Sequence, residues 1–122
     1  MQKQVIILSN IPETDLAGLY RLAFLSIYTS LFEGFGLPVI ESMACGCPVI
    51  TSNVSCLPET AGDAAILCDP HNSRELGLQI ERVLADENLR QELIRKGKER
   101  AQIFHPKNYS EKLISLYEKI SG

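Results

Sequence analysis

The stretch at residues 30–50 constrains the fold most strongly, because its glycines and prolines fix where a helix begins and ends. It reads S-L-F-E-G-F-G-L-P-V-I-E-S-M-A-C-G-C-P-V-I. An apolar run at residues 25–28 precedes it, and Gly34 and Gly36 break that run, as is typical where a buried strand ends. Pro38 is then predicted to open a helix, since the N–H that proline lacks would have no partner in a first helical turn.

The sequence also contains signals for the end of this predicted helix. Gly46 suits a helix C-terminus and Pro48 prevents the helix from restarting, so residues 49–51 are predicted to form the next strand. The stretch therefore predicts a strand, a glycine loop, a helix and a strand. Such a loop leaves backbone N–H groups unpaired beside the positive end of the helix dipole, where negatively charged or hydroxyl-rich ligands bind well.

Two carboxylates flank this loop. Glu33 enters the loop and Glu41 lies in the first turns of the helix, so both can face the mouth of one pocket and accept hydrogen bonds from sugar hydroxyls. A structural interpretation competes with this one, because a glutamate near a helix start is commonly a favourable partner of the dipole, worth about 0.3–1 kcal/mol. The spacing alone favours the structural interpretation.

The exact order of residues in this stretch favours the functional interpretation of the two glutamates. The text E-G-F-G-L-P-V-I-E-S-M-A-C-G-C-P-V-I resembles the signature of the GT-B glycosyltransferases of the family 4 type, the "glycosyl transferases group 1" domain, with its Glu-x7-Glu element. The resemblance continues upstream through D-L-A-G-L-Y-R-L-A and downstream through L-P-E-T-A-G-D-A-A-I-L-C-D-P. It covers nearly the whole chain.

This resemblance implies a fold and an activity. GT-B enzymes have two Rossmann-like domains that face each other across a cleft, and the donor lies mainly on the C-terminal one. Residues 1–122 resemble the latter part of that domain, so they are expected to form a single partial domain that binds a nucleotide sugar. The implied function is the donor-binding part of a retaining glycosyltransferase, which transfers a hexose from a nucleoside-diphosphate sugar to a sugar, polysaccharide or lipid acceptor.

The resemblance also implies roles for individual residues. Glu33 is expected to be catalytic, by contacting the donor sugar or supporting charge in the transition state, and Glu41 to bind the ribose hydroxyls of the nucleotide. Backbone groups that would hold the sugar hydroxyls and the diphosphate belong to Gly34, Phe35, Gly36 and Leu37. Enzymes of this type do not depend on a bound metal, so no metal and no cofactor beyond the donor substrate is expected.

Parts of the resembled enzymes are missing from these residues. An Arg and a Lys that neutralise the departing diphosphate lie before the matching region, and Arg21 is predicted to be a surface residue rather than their substitute. Without a cation, the charge that develops on the phosphate lacks one of the strongest sources of transition-state stabilisation. The chain alone is therefore expected to be inactive, its missing partners being the N-terminal acceptor domain and the upstream half of the donor domain. Its bare sheet edge is expected to cause self-association.

Composition sets further limits. A net charge of −3 without a basic run argues against nucleic acid as a partner. No apolar run approaches the roughly 20 residues that span a bilayer, and no signal-peptide core is present, so a cytoplasmic location is expected, with the full enzyme able to lie peripherally on a membrane. The four cysteines lack the paired spacing of a zinc site, so buried thiols are predicted.

Strand and helix patterns alternate along the rest of the chain. Residues 5–8 are predicted to form a strand, followed by a helix capped by Thr14 or Asp15. Gly97 is predicted to weaken its helix by roughly 1 kcal/mol against alanine. The remaining predicted elements are a strand at 64–68, a helical turn at 58–62, and helices from residue 73, at 89–104 and at about 108–120. The predicted fold class is α/β, a Rossmann-like partial domain with a parallel sheet of about four strands and helices on both faces, the C-terminal half of a GT-B fold.

The residues leave two other functions open. A sugar-nucleotide epimerase or phosphorylase of the same fold would need catalytic groups that this chain does not provide in its sequence. A non-catalytic α/β binding module, such as a flavodoxin-like domain, is the other alternative. A receiver domain would need an acidic cluster after its first strand, and a dinucleotide-binding domain would need G-x-G-x-x-G there; neither follows residues 5–8.

Overall fold

The computed structural model describes residues 5–32 and 34–104. Within these ranges the chain forms five helices and three strands. In chain order they are α1 (Glu13–Leu22), β1 (Ser26–Tyr28), α2 (Leu37–Ala44), β2 (Val49–Ser52), α3 (Leu57–Ala61), β3 (Ile66–Cys68), α4 (Ser73–Ala85) and α5 (Glu87–Ile103). The helix predicted at about 108–120 lies outside the described residues.

The three strands form one parallel sheet in the order β1-β2-β3. The register pairs Ile27 with Ile50 and Ile50 with Ile66. β2 is the central strand, and all of its residues are buried. Thr51 Oγ1 donates a hydrogen bond of 2.6 Å to the Tyr28 carbonyl, which ties β1 to β2 within the sheet. The three later strands of the prediction are thereby confirmed.

Helices cover both faces of the sheet, because successive side chains of a strand point to opposite sides. Val49 belongs to a hydrophobic cluster with residues of α2 and α3, and Ile50, the next residue, belongs to a second cluster with α4. Helix α5 takes part in both, through Ala101 in the first and Leu93 in the second. This two-sided covering confirms the predicted α/β, Rossmann-like arrangement.

Residues 5–8 do not form the predicted additional strand, so the expectation of about four strands is wrong for the described residues, which contain three. Val5 and Ile7 are 70% and 91% exposed. The reason is topological. The three described strands pair only with one another, so residues 5–8 have no described strand as a neighbour with which to pair.

Local side-chain chemistry explains the start of α5 but not that of α1. Asp86 follows the last residue of α4, and its Oδ1 accepts a hydrogen bond of 3.0 Å from the Leu89 N–H, which caps α5. Helix α1 has Pro12 as its N-cap, without a side-chain hydrogen bond. The predicted capping by Thr14 or Asp15 is wrong, because α1 begins before both and they lie inside its first turn.

The four cysteines have free thiols. Cys47 and Cys68 are buried, and burial raises the pKa of each thiol above its usual value. Cys45 and Cys56 are half-buried. The prediction of buried thiols is confirmed at the first two positions.

Candidate functional site

The glycine loop follows the carboxyl end of β1 and leads into α2. In parallel sheets, ligands commonly bind outside the carboxyl ends of the strands. Gly36 is the N-cap of α2 and has left-handed backbone angles, with φ 83° and ψ 41°. It is buried, and a Cβ built on it would lie 2.8 Å from Leu57 Cδ2. Glycine is therefore favoured here for two reasons, its backbone conformation and the close approach of α3.

The described residues leave the positive end of α2 without electrostatic compensation. No side chain caps this helix, and its first turn contains no acidic residue. Within the described ranges, the N–H groups of Gly36 and Leu37 donate no hydrogen bond, and Pro38 has no N–H. The helix dipole and these unpaired donors can therefore bind an anion.

Glu41 lies one turn after Leu37 on the same face of α2, about 6 Å further along the helix axis. It is exposed, and it lines a cavity of about 310 Å³ between α1 and α2. The other lining residues are Glu13, Leu16, Ala17, Tyr20, Ala44 and Cys45. The carboxylate thus stands at a largely apolar hollow, one helical turn from the glycine loop.

The Glu41 carboxylate is available to a ligand. None of the ion pairs in the described part of the chain involves it. Tyr20, which lines the same cavity from α1, is partly buried; burial raises the pKa of its phenol, and the negative charge of Glu41 adds to the effect. Tyr20 therefore keeps its proton near neutral pH, and the two residues present a hydroxyl group and a carboxylate to the cavity.

Two contacts hold Phe35 in the glycine loop. Thr60 Oγ1, from α3, donates a hydrogen bond of 2.6 Å to the Phe35 carbonyl. The Phe35 and Phe104 rings meet edge to face, with a centroid distance of 5.4 Å and an interplanar angle of 76°, a favourable aromatic geometry. The loop is thus supported from two sides.

Arg100 connects these two supports. Its guanidinium donates hydrogen bonds to the carbonyl of Thr60 at 3.0 Å and to that of Glu59 at 2.5 Å. It also lies 5.3 Å from the centre of the Phe104 ring. Arg100 therefore ties the end of α5 to α3, and α3 in turn holds the glycine loop.

Sequence reasoning missed Thr60, Arg100 and Phe104 as supports of the loop. Thr60 lies 25 residues from Phe35 and 40 from Arg100, and no periodicity or turn signal links positions so far apart. A hydroxyl group among the apolar residues of a short helix is the one local hint, and it does not identify the partner.

The predicted site residues at 34–37 and Glu41 lie along the glycine loop and the first two turns of α2. Glu33 lies outside the described residues, and its catalytic role stays a prediction. Arg21 is exposed on α1, as predicted. His71 is also exposed, and its backbone N–H donates a hydrogen bond of 2.9 Å to Asp69 Oδ1.

Residues 5–32 and 34–104 contain neither a metal-binding cluster nor a membrane-spanning helix. No group of three or more His, Cys, Asp or Glu residues in these ranges is arranged to hold a metal ion. None of the helices in the same part of the chain is both long and apolar enough to cross a membrane.

Similar sequences occur in glycosyltransferases. Residues 1–100 match the family described as "Glycosyl transferases group 1". The chain is 38% identical over 111 residues to the O-antigen chain mannosyltransferase B of Escherichia coli, a match that covers 91% of this chain and 29% of that protein. It is 36% identical over 115 residues to a D-inositol 3-phosphate glycosyltransferase of Acidothermus cellulolyticus, covering 93% of this chain and 25% of that protein. The chain thus spans less than a third of the length of these curated relatives.

Two solved structures are also similar to this chain. A sucrose-phosphate synthase from Thermosynechococcus elongatus superposes with a TM-score of 0.84 at 33% identity, over 97% of this chain and 30% of that one. The C-terminal domain of a group 1 glycosyl transferase family protein from Francisella tularensis superposes with a TM-score of 0.70 at 26% identity, over 79% of this chain and 50% of that one.

Proposed function

This chain belongs to the glycosyl transferases group 1 family, and from that premise we propose that it is the donor-binding part of a retaining glycosyltransferase. The proposed enzyme transfers a hexose from a nucleoside-diphosphate sugar to a sugar, polysaccharide or lipid acceptor. One observation carries the proposal. Two unpaired N–H groups at the start of α2 and the unpaired carboxylate of Glu41 lie about 6 Å apart along one helix.

The chemistry of the donor suits this arrangement. A nucleoside-diphosphate sugar carries an anionic diphosphate between two hydroxyl-rich groups, the ribose and the transferred sugar. The N–H groups of Gly36 and Leu37, at a positive helix end, suit the diphosphate. The Glu41 carboxylate, one turn further on, suits the ribose hydroxyls, because an ionised carboxylate accepts hydrogen bonds and donates none.

The proposed reaction retains the anomeric configuration. The acceptor hydroxyl attacks the anomeric carbon from the face that the diphosphate leaves, the new C–O bond forms as the bond to the phosphate oxygen breaks, and the proton of the hydroxyl passes to that phosphate oxygen. The N–H groups at α2 stabilise the charge that develops on the diphosphate. Glu33 is proposed to contact the donor sugar or to support charge in the transition state.

The rest of the machinery is proposed to lie elsewhere in the whole protein. The chain spans 29% of the Escherichia coli mannosyltransferase and 30% of the sucrose-phosphate synthase chain. We therefore place the acceptor-binding groups and the cations that neutralise the departing diphosphate in a region outside this chain. The chain by itself is proposed to bind the donor without turning it over.

Ligand-observed NMR tests the donor site directly. The chain is titrated with UDP, GDP, ADP and their glucose and mannose forms, mannose being suggested by the name of the Escherichia coli relative. One nucleotide is expected to bind, and Glu41→Ala is expected to weaken it about tenfold or more, since hydrogen bonds to a charged group are worth about 1.5–3 kcal/mol. Glu81→Ala is the matched control, because Glu81 is also exposed but lies on α4.

The outcomes separate the site from the function. Equal affinities of Glu41→Ala and the unmodified chain for the nucleotide would contradict the role of Glu41. If no nucleotide binds, the titration is repeated on the protein with about a hundred upstream residues restored, roughly the size of a domain. Absence of binding there as well would refute the proposed donor site.

A further inference from the structure

The peptide group between Phe35 and Gly36 is held by a buried hydroxyl. The carbonyl oxygen of Phe35 accepts the hydrogen bond of 2.6 Å from Thr60 Oγ1. Thr60 is only 4% exposed, so water has little access to the donor. The hydroxyl is thus committed to one acceptor, in the loop that leads into α2.

The direction of this carbonyl determines where the next N–H points. A trans peptide is planar, with its C=O and N–H on opposite sides, and the described chain contains no cis peptide bond. Because the Phe35 carbonyl is directed at Thr60 in α3, the Gly36 N–H is directed away from α3. Among the described residues this N–H donates no hydrogen bond. It is one of the two unpaired donors at the start of α2.

Rotation of the Phe35–Gly36 peptide group would exchange the directions of its C=O and its N–H. Glycine adopts a wider range of backbone angles than other residues, so Gly36 permits rotation of the peptide before it. The carbonyl oxygen of Phe35 would then face the anion-binding end of α2, and its partial negative charge would repel a diphosphate. Anion binding therefore depends on a contact that keeps the carbonyl on the side of α3.

Helix α3 is itself fixed at this point. Arg100 donates a hydrogen bond of 3.0 Å to the Thr60 carbonyl. Leu57, one turn earlier in α3, is buried and lies so close to Gly36 that a Cβ there would come within 2.8 Å of Leu57 Cδ2. The Thr60 hydroxyl is thus presented to the loop by a helix that cannot easily move away from it.

We propose that Thr60 is a positioning residue for the donor site: its hydroxyl holds the Phe35–Gly36 peptide so that the Gly36 N–H faces the diphosphate of the nucleotide sugar. This inference rests on the proposed function, because the diphosphate is the ligand that the N–H would bind. Thr60 acts only through the peptide group and does not touch the ligand.

The test compares two substitutions at Thr60. Thr60→Val keeps the β-branched shape and removes the hydrogen-bond donor, whereas Thr60→Ser keeps the donor. Thr51→Val is the matched control, because Thr51 Oγ1 makes a hydrogen bond of the same length, 2.6 Å, to the Tyr28 carbonyl within the sheet. The amide NMR signal of Gly36 is recorded for each variant without ligand, and the affinities for UDP, GDP and ADP are then measured by titration.

In Thr60→Val the Gly36 amide signal is expected to move and the nucleotide affinity to fall about tenfold. Thr60→Ser and Thr51→Val are expected to keep the signal position and the affinity of the unmodified chain. If Thr60→Val does not fold, Thr60→Ala, which lacks the donor but fits the space, is expected to show the same two changes. A Gly36 signal that stays at its original position in the folded donor-free variant would overturn the proposal. If even the unmodified chain binds no nucleotide, the donor site of this chain fails, and the Gly36 signal still decides whether Thr60 orients the peptide.

Discussion

Gly97 of α5 lies against Met43 of α2, so closely that a Cβ on Gly97 would be 3.3 Å from Met43 Cγ. Both residues are buried. The contact lets α5 approach the helix that carries the candidate donor site. The predicted cost of a glycine inside a helix, about 1 kcal/mol against alanine, is thus accompanied by close packing that a larger side chain would crowd.

Gly97→Ala is therefore expected to give little or no stabilisation, because its methyl group would press on Met43. Gly77 provides the control, since it lies inside α4 and a Cβ there would meet nothing within 4 Å. Helix propensity alone predicts that Gly77→Ala raises the free energy of unfolding by about 1 kcal/mol. Urea unfolding measures both variants, and equal stabilisation by the two would contradict tight packing at Gly97.

Gly36→Ala is expected to lower the free energy of unfolding by about 1–3 kcal/mol, because alanine is strained at a left-handed φ and its Cβ would collide with Leu57. Nucleotide binding should be lost with it. Gly34→Ala is the comparison, since a Cβ at Gly34 would meet nothing within 4 Å. Chemical unfolding and nucleotide titration test both. Full stability of Gly36→Ala would show that the loop can relax away from α3.

Arg100→Met is expected to lower the free energy of unfolding by about 1–3 kcal/mol, because the carbonyls of Glu59 and Thr60 lose a charged donor. Arg95 on the same helix forms ion pairs of 2.6 and 2.9 Å with Glu92 and Glu99, but its side chain is 55% exposed. Arg95→Met should therefore lower the free energy of unfolding less than Arg100→Met does, because water screens its ion pairs. Thermal unfolding should show a larger destabilisation in Arg100→Met than in Arg95→Met. A larger destabilisation in Arg95→Met would contradict the support given by Arg100.

Stability is expected to fall in alkaline solution because of Cys47 and Cys68. Burial raises the pKa of both thiols in the folded chain, so the unfolded chain releases these protons at lower pH than the folded chain does. The stability that the neutral thiols contribute is complete below about pH 8.5 and is lost as the pH rises through the folded pKa values. Tyr20, whose pKa is also raised, adds to this loss only at higher pH.

Urea unfolding at a series of pH values from about 7 to about 10 measures this effect. The free energy of unfolding should decrease with pH, and the decrease should be shallower in a double variant with Cys47→Ala and Cys68→Ala. An unchanged slope in the double variant would mean that other groups cause the alkaline loss.

Apolar side chains near β1 lead us to expect self-association. Leu22, Phe32 and Ile27 are 87%, 85% and 45% exposed, and β1 lies at an edge of the described sheet. Ile27→Lys places a charge on this edge strand and should reduce association. Leu78→Lys, on α4, is the control, because Leu78 is 57% exposed and distant from β1 in sequence. Sedimentation velocity that shows a clean monomer of the unmodified chain at high concentration would contradict the expectation.

The ends of some elements could be predicted from the sequence because a residue's own backbone sets them. Gly46 and Pro48 fixed the end of α2 and the start of β2 because a left-handed turn and a missing N–H act locally. Residues 5–8 mark the limit of this reasoning. An apolar run becomes a strand only beside a partner, and the run itself does not reveal whether one is present.

The same limit applies to the candidate site. The glycine loop and Glu41 could be identified because they lie within one short stretch of sequence. The hydrogen bond from Thr60 to Phe35 could not, because packing of α3 against the loop brings these residues together across 25 positions. Individual roles in donor binding and catalysis stay predictions, and Glu33 lies outside the described residues.

Helix α5 packs into the hydrophobic clusters on both faces of the sheet, through Leu93 on one and Ala101 on the other. Neither face can therefore melt while the other keeps its full packing. Such shared packing favours all-or-none unfolding over layers that open in turn. Because the last turn of the same helix also supports the Phe35 part of the glycine loop through Arg100 and Thr60, loosening of α5 would weaken the loop and both hydrophobic clusters together. The contacts of Phe35 thus link the donor end of α2 to the cooperative core of the chain.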